Sequence, residues 1–338
     1  MATFIVSNRP VETLKRGKEV FKGGGSEHAR ESFRVARYLS KDDVTILPDL
    51  HGQSYDRFGP KGEGQALHGT EQLLQLLATN DPDGPPHRVA LVLHGFNYTL
   101  KDSLTHIEQL QKRYRFGEAG GPFPHLIYFS WPSGASQKIA QYKLGRRRTV
   151  PTAQMLARFF KKLEWGAEDL AARGGFLPLR RRFDVFAHSL ANEVLAQAAA
   201  ELAEGPQLFR NLFLLNSDVE DRVLEPRGRL RALAQRSHRV HVYTHYYDQA
   251  LEASSYLNRD RTPLGLGGPH RLERTPSNVF HIDTTFTAAS TKRERARNHW
   301  GYLHRPKVIQ DIRHVLALKR PEAIPERTPD GPRRYRLG

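Results

Sequence analysis

From residue 89 onward, short runs of β-branched and aromatic residues alternate with longer stretches whose apolar side chains recur at helical spacing. Residues 89–93, 126–129, 183–186, 212–215, 240–243 and 279–282 read as strands. After the first of these, Leu104, Ile107, Leu110 and Tyr114 share one helical face, with Asp102 placed as an N-cap. Pro151 is expected to open the next helix, whose residues Leu156, Phe159, Phe160, Leu163, Ala167 and Leu170 keep step as far as Gly174-Gly175. A further helix follows the third strand, turns Val194, Leu195, Ala198 and Leu202 inward and stops at Gly205-Pro206; a last one is expected around 308–318. Strands joined by helices in this way predict a three-layer αβα sandwich around a mainly parallel sheet.

Upstream, residues 3–6, 32–38 and 44–47 read as antiparallel strands extending one end of that sheet. Gly23-Gly24-Gly25 between them is a plain turn, because no strand closely precedes it and no Gly-Lys-Ser/Thr follows, as a phosphate cradle would require. The expected organisation is a single domain over 1–318, with its core at 85–318 and the N-terminal strands in 1–84. The Pro- and Arg-rich segment 319–338 is expected to be an unpacked, flexible tail.

Composition narrows the chemistry. The 338 residues are 38% hydrophobic, enough for a sizeable core. No run of eighteen apolar residues occurs and the first residues lack a leader pattern, so a cytoplasmic location is expected. With Cys 0, thiolate catalysis and disulfides are excluded, and covalent chemistry falls to Ser, Thr, Lys or a carboxylate. The formal charge of +16 attracts anions in general. Arg146-Arg147-Arg148 and Arg180-Arg181-Arg182 lie beside predicted loops without interleaved aromatics, so they read as a solvated basic face rather than a nucleic-acid site, with contact to a membrane surface left open.

The third strand runs through Ala187-His188-Ser189-Leu190-Ala191 directly into a helix. A serine at such a turn is held clear of the backbone by strained φ/ψ, and small neighbours two positions away make room for it. His94-Gly95-Phe96-Asn97, after an earlier strand, supplies a loop whose backbone approaches closely; the Phe96 and Leu190 N–H groups are the expected oxyanion donors. On such a sheet the acid and the histidine follow the serine. Asp248 and Asp218 both close later strands, and Asp248 is favoured as the later of the two. His299 is preferred to His304, which reads as a surface residue. His94 and Trp131 are expected to contact substrate. His241 and His245 stand four apart in a strand with no third ligand, so no metal is expected.

Together, Leu91-Val92-Leu93-His94-Gly95-Phe96-Asn97, Phe129-Ser130-Trp131-Pro132-Ser133, Ala187-His188-Ser189-Leu190-Ala191, Tyr247-Asp248-Gln249-Ala250-Leu251 and Asn298-His299 resemble a bacterial branch of α/β hydrolases catalogued as domain of unknown function 900. The resemblance spans roughly residues 85–318 and is most specific in the pairing of the His-Gly-aromatic-Asn loop with Ser-Trp-Pro-Ser. It implies a sheet of the α/β-hydrolase type, a triad of Ser189, Asp248 and His299, and no metal or organic cofactor. Members commonly carry glycine where this chain has Ala191 and Asn298. The activity expected is cleavage of an ester-type acyl substrate. A non-catalytic interaction protein on the same fold and a basic nucleic-acid-binding protein are the alternatives.

Overall fold

The computed structural model describes residues 2–30, 32–48, 69–78, 88–118, 121–123, 125–172, 179–205, 207–258, 261–287 and 297–338. The strands are β1 (Ala2–Ser7), β2 (Val11–Thr13), β3 (Glu19–Phe21), β4 (Arg34–Ser40), β5 (Asp43–Ile46), β6 (Val89–Leu93), β7 (His125–Ser130), β8 (Phe183–His188), β9 (Phe209–Leu215), β10 (Ser237–Thr244), β11 (Val279–Asp283), β12 (Arg327–Pro329) and β13 (Arg334–Leu337). All but the small β2–β3 pair join one eleven-stranded sheet in the order β12-β13-β11-β10-β9-β8-β6-β7-β1-β4-β5. Neighbours from β13 through to β1 run parallel, while β12 at one edge and β4–β5 at the other are antiparallel. β1, expected among the antiparallel strands, instead pairs in parallel with β7, and antiparallel only with β4.

Because successive side chains leave a strand on opposite faces, the near-continuous apolar strands feed two cores. Val89, Leu91 and Leu93 of β6 join one core, which is covered by the helices α1 (Gly69–Ala78), α3 (Ile139–Ala172) and α4 (Ala191–Ala198). Ala90 and Val92 join the other, beneath α2 (Leu100–Tyr114) and the helix Pro306–Leu316. Two further helices, α5 (Arg231–Gln235) and α6 (Gln249–Leu257), border β10. No helix among the described residues is long and apolar enough to cross a membrane.

Four expectations need correction. Thr99, not Asp102, caps α2; Asp102 closes a capping box by accepting the Thr99 N–H at 2.9 Å. Pro151 does not open α3 but sits inside it. The preceding turns bury Tyr142, Gly145, Arg148 and Thr149, a helical face too polar for a hydrophobic pattern to reveal. The basic runs are accordingly only partly solvated: Arg148 is buried with its guanidinium on the Gly25, Ser26 and Pro132 carbonyls, and Arg182 is buried too. The fourth correction concerns residues 319–338, which are not an unpacked tail. β12 and β13 extend the sheet beyond β11, Leu337 and Tyr335 are buried, and Arg327 makes a fully buried ion pair with Asp311 at 2.8 Å. Gly174, Gly175 and Pro206, the expected helix stops, lie outside the described residues.

Candidate active site

The parallel strands deliver their C-terminal ends to one edge of the sheet, where an open α/β fold binds its ligands. At that edge the chain leaves β6 through His94-Gly95-Phe96, β7 through Trp131, β8 through Ser189, β9 through Asn216 and β10 through the loop to Asp248.

Ser189 has φ of 55°, a left-handed conformation that is costly for a residue with a Cβ and persists only where its surroundings impose it. They do so here. Its N–H donates to Leu215 O at 2.9 Å, and its carbonyl accepts the Asn192 side-chain amide at 2.9 Å, the Asn192 N–H at 3.1 Å and the Asp218 N–H at 3.2 Å. Leu190 then leads directly into α4, so its N–H belongs to the free donors of a helix start. A Cβ on Gly95 would stand 2.9 Å from the Ser189 Cβ and 3.0 Å from His188 O, so only glycine lets this loop lie against the serine.

His299 lies in a short 3-10 turn, Asn298–Trp300, and its ring centroid is 4.6 Å from that of His188. Its Nδ1 meets Asp248 Oδ2 at 2.7 Å. Asp248 is fully buried; its other oxygen caps α6 by accepting the Ala250 and Leu251 N–H groups, and Asn216 donates to Oδ2 at 2.8 Å. Burial opposes its charge, yet His299, Asn216 and the Leu251 N–H together hold the carboxyl below its ordinary value. A carboxylate on Nδ1 fixes the tautomer and leaves Nε2 as the basic nitrogen. Ser189 and His299 each keep 7% of their surface accessible, whereas Asp248 keeps none.

Asp218 is engaged elsewhere. It accepts the Tyr142 hydroxyl at 2.7 Å and the Ser254 hydroxyl at 2.6 Å, and pairs with Arg261 at 3.3 Å. Tyr142 in turn packs edge-on against Phe96, 5.5 Å between centroids, so Asp218 buttresses the Phe96 loop through α3. His304 is exposed, as expected.

His94 and Trp131, expected to touch substrate, are both fully buried and turned into the scaffold. The Trp131 N–H donates to His94 Nε2 at 3.0 Å, the Trp131 indole N–H donates to His94 O at 2.9 Å, and the rings stack. Since Nε2 accepts, Nδ1 carries the proton and donates to Gly95 O at 2.9 Å, which fixes the Gly95–Phe96 peptide plane. Burial pushes His94 well below its ordinary value, so the ring stays neutral.

Among the described residues, no group of three His, Cys, Asp or Glu side chains is arranged to hold a metal ion. His241 faces Asn211 inside the core, and His245 Nδ1 accepts the Tyr247 N–H.

A family model described as an alpha/beta hydrolase of unknown function (DUF900) matches residues 71–317. The chain belongs to this family. No curated protein and no solved structure matches it. The α/β-hydrolase match includes every strand end described above, and the large, mostly parallel sheet with antiparallel edges is the family's fold. Sequence reasoning missed Asn216, Asn192 and Tyr142, which hold the acid, the serine turn and the Phe96 loop. Asn216 alone left a signal: a residue tolerant of left-handed φ, here 43°, at the end of a buried strand.

Proposed function

We propose that this α/β hydrolase is a serine hydrolase cleaving ester-type acyl substrates through an acyl-enzyme on Ser189. The observation that carries the reading is a serine held at positive φ, next in sequence to His188, whose Nε2 lies 2.7 Å from His299 O, while His299 Nδ1 is bonded at 2.7 Å to a buried carboxylate. In the mechanism, His299 Nε2 takes the Ser189 hydroxyl proton as Oγ attacks the acyl carbonyl. The charge that develops on the carbonyl oxygen is met by the Phe96 and Leu190 N–H groups. The intermediate collapses, His299 gives the proton to the leaving alcohol, and water, deprotonated by His299, releases the acid. Asp248 keeps its charge throughout and stabilises the imidazolium.

A fluorophosphonate probe tests the nucleophile directly. The expected result is one adduct on Ser189, located by mass spectrometry and lost in Ser189→Ala, with turnover of p-nitrophenyl acetate also lost while the thermal midpoint is kept. Full turnover in a folded Ser189→Ala protein would overturn the assignment.

A further inference from the structure

We infer that His188 is a positioning residue of the catalytic centre, tying the backbone of His299 to the nucleophile turn. The inference rests on the triad reading above. His188 ends β8 and immediately precedes Ser189, so its side chain leaves the strand next to the serine. Its Nε2 lies 2.7 Å from His299 O. A carbonyl only accepts, so His188 Nε2 carries the proton and donates it. The ring is wedged among His299, Tyr302 and Trp300, with centroids at 4.6, 5.1 and 6.1 Å. Its Nδ1 is buried with no hydrogen-bond partner among the described residues. Burial also makes protonation of this ring costly, so it remains a single-proton donor.

The bond completes a set. Asn216, which holds Asp248 Oδ2, also donates to Asn298 O at 3.3 Å. Arg305 donates to the Asn298 side-chain oxygen at 2.6 Å. Asn298 O and His299 O are consecutive carbonyls, so two side chains from neighbouring strand ends fix the peptide planes on either side of the His299 Cα. That orientation decides where Nε2 points relative to Ser189 Oγ. A shift of about 1 Å in a reacting group can cost on the order of a hundredfold in rate. A buried ring nitrogen left unpartnered is itself unfavourable, which is the cost this position bears to retain the Nε2 donor.

Two amide variants test the inference. In His188→Gln the amide nitrogen reaches about as far as the imidazole Nε2; in His188→Asn it stops short. The readouts are the rate of fluorophosphonate labelling at Ser189, kcat and KM for p-nitrophenyl acetate, and the thermal midpoint. His188→Asn is expected to label roughly tenfold more slowly or worse, with the loss in kcat rather than KM, and His188→Gln to recover to within about threefold of wild type. If His188→Asn does not fold, His188→Phe, which keeps the bulk and lacks the donor, takes its place. Equal labelling of wild type and the short or donorless variant would overturn the inference, as would equal slowing of Gln and Asn variants that are both folded. A wild-type protein that does not label at all would instead sink the triad reading on which the inference rests.

Discussion

Two aspartates follow β9 and β10, and their surroundings assign them different work. Asp248 faces His299 at 2.7 Å, whereas Asp218 is saturated by Tyr142, Ser254 and Arg261. Asp248→Asn should therefore lower kcat about 10³–10⁴-fold, because an amide on Nδ1 selects the wrong tautomer. Asp218→Asn keeps a polar group against Tyr142 and should cost about tenfold or less, read in the same ester assay. A reversed order would make Asp218 the acid. Ser189, His299 and the two aspartates could be singled out from the sequence because each follows an apolar strand, the position where an open α/β sheet places its ligand-binding loops. The sequence favoured Asp248 only because it follows the later strand; the physical ground for the preference, which loop folds back over which, is not recorded by either aspartate's neighbours in sequence. The same blindness misread His94 and Trp131. A polar residue beside a glycine loop reads as facing substrate, but His94 spends both ring nitrogens on backbone groups.

At the level of elements, the regular strands from β6 to β11 were readable because each is a short apolar run buried on both faces. Among the elements that escaped, two show why. The first turns of α3 bury polar side chains, so their helical face carries no hydrophobic signature. The β12–β13 hairpin is short and charged, yet it is pinned by Arg327, whose guanidinium contacts both oxygens of the buried Asp311, itself accepting the Tyr243 hydroxyl at 3.0 Å. Removing one partner of such a pair leaves a buried charge uncompensated, a loss of about 3–5 kcal/mol, whereas replacing both with apolar residues is often close to neutral. Arg327→Leu should lower the denaturation free energy by about that amount, and Arg327→Leu with Asp311→Leu should recover most of it. If the double variant is as unstable as the sum of the two single ones, the hairpin is not held by this pair.

Across the whole molecule, a chain with formal charge +16 keeps several histidines inside its cores in the neutral state. His94, His106, His188, His241 and His281 are each at most 5% exposed. Burial is the leading cause that holds all five below the ordinary 6.5, His281 at about 4 and His106 at about 3. In the unfolded chain these rings take up protons near pH 6.5, while in the fold they do so only at much lower pH. Between those limits the unfolded state binds more protons, so stability is fully present above about pH 6.5 and drains as pH falls below it. Asp248 acts in a different window: its folded value lies below 3.8, so its contribution is kept through this range and lost only as the pH falls through that depressed value. Each fully neutral buried histidine contributes a slope of up to about 1.4 kcal/mol per pH unit, so five together should remove several kcal/mol between about pH 7.5 and pH 5.5. Urea denaturation at these two values checks it. A midpoint that falls sharply on acidification, before any carboxylate titrates, is the expected result; an unchanged midpoint would mean that these rings gain their protons within the fold.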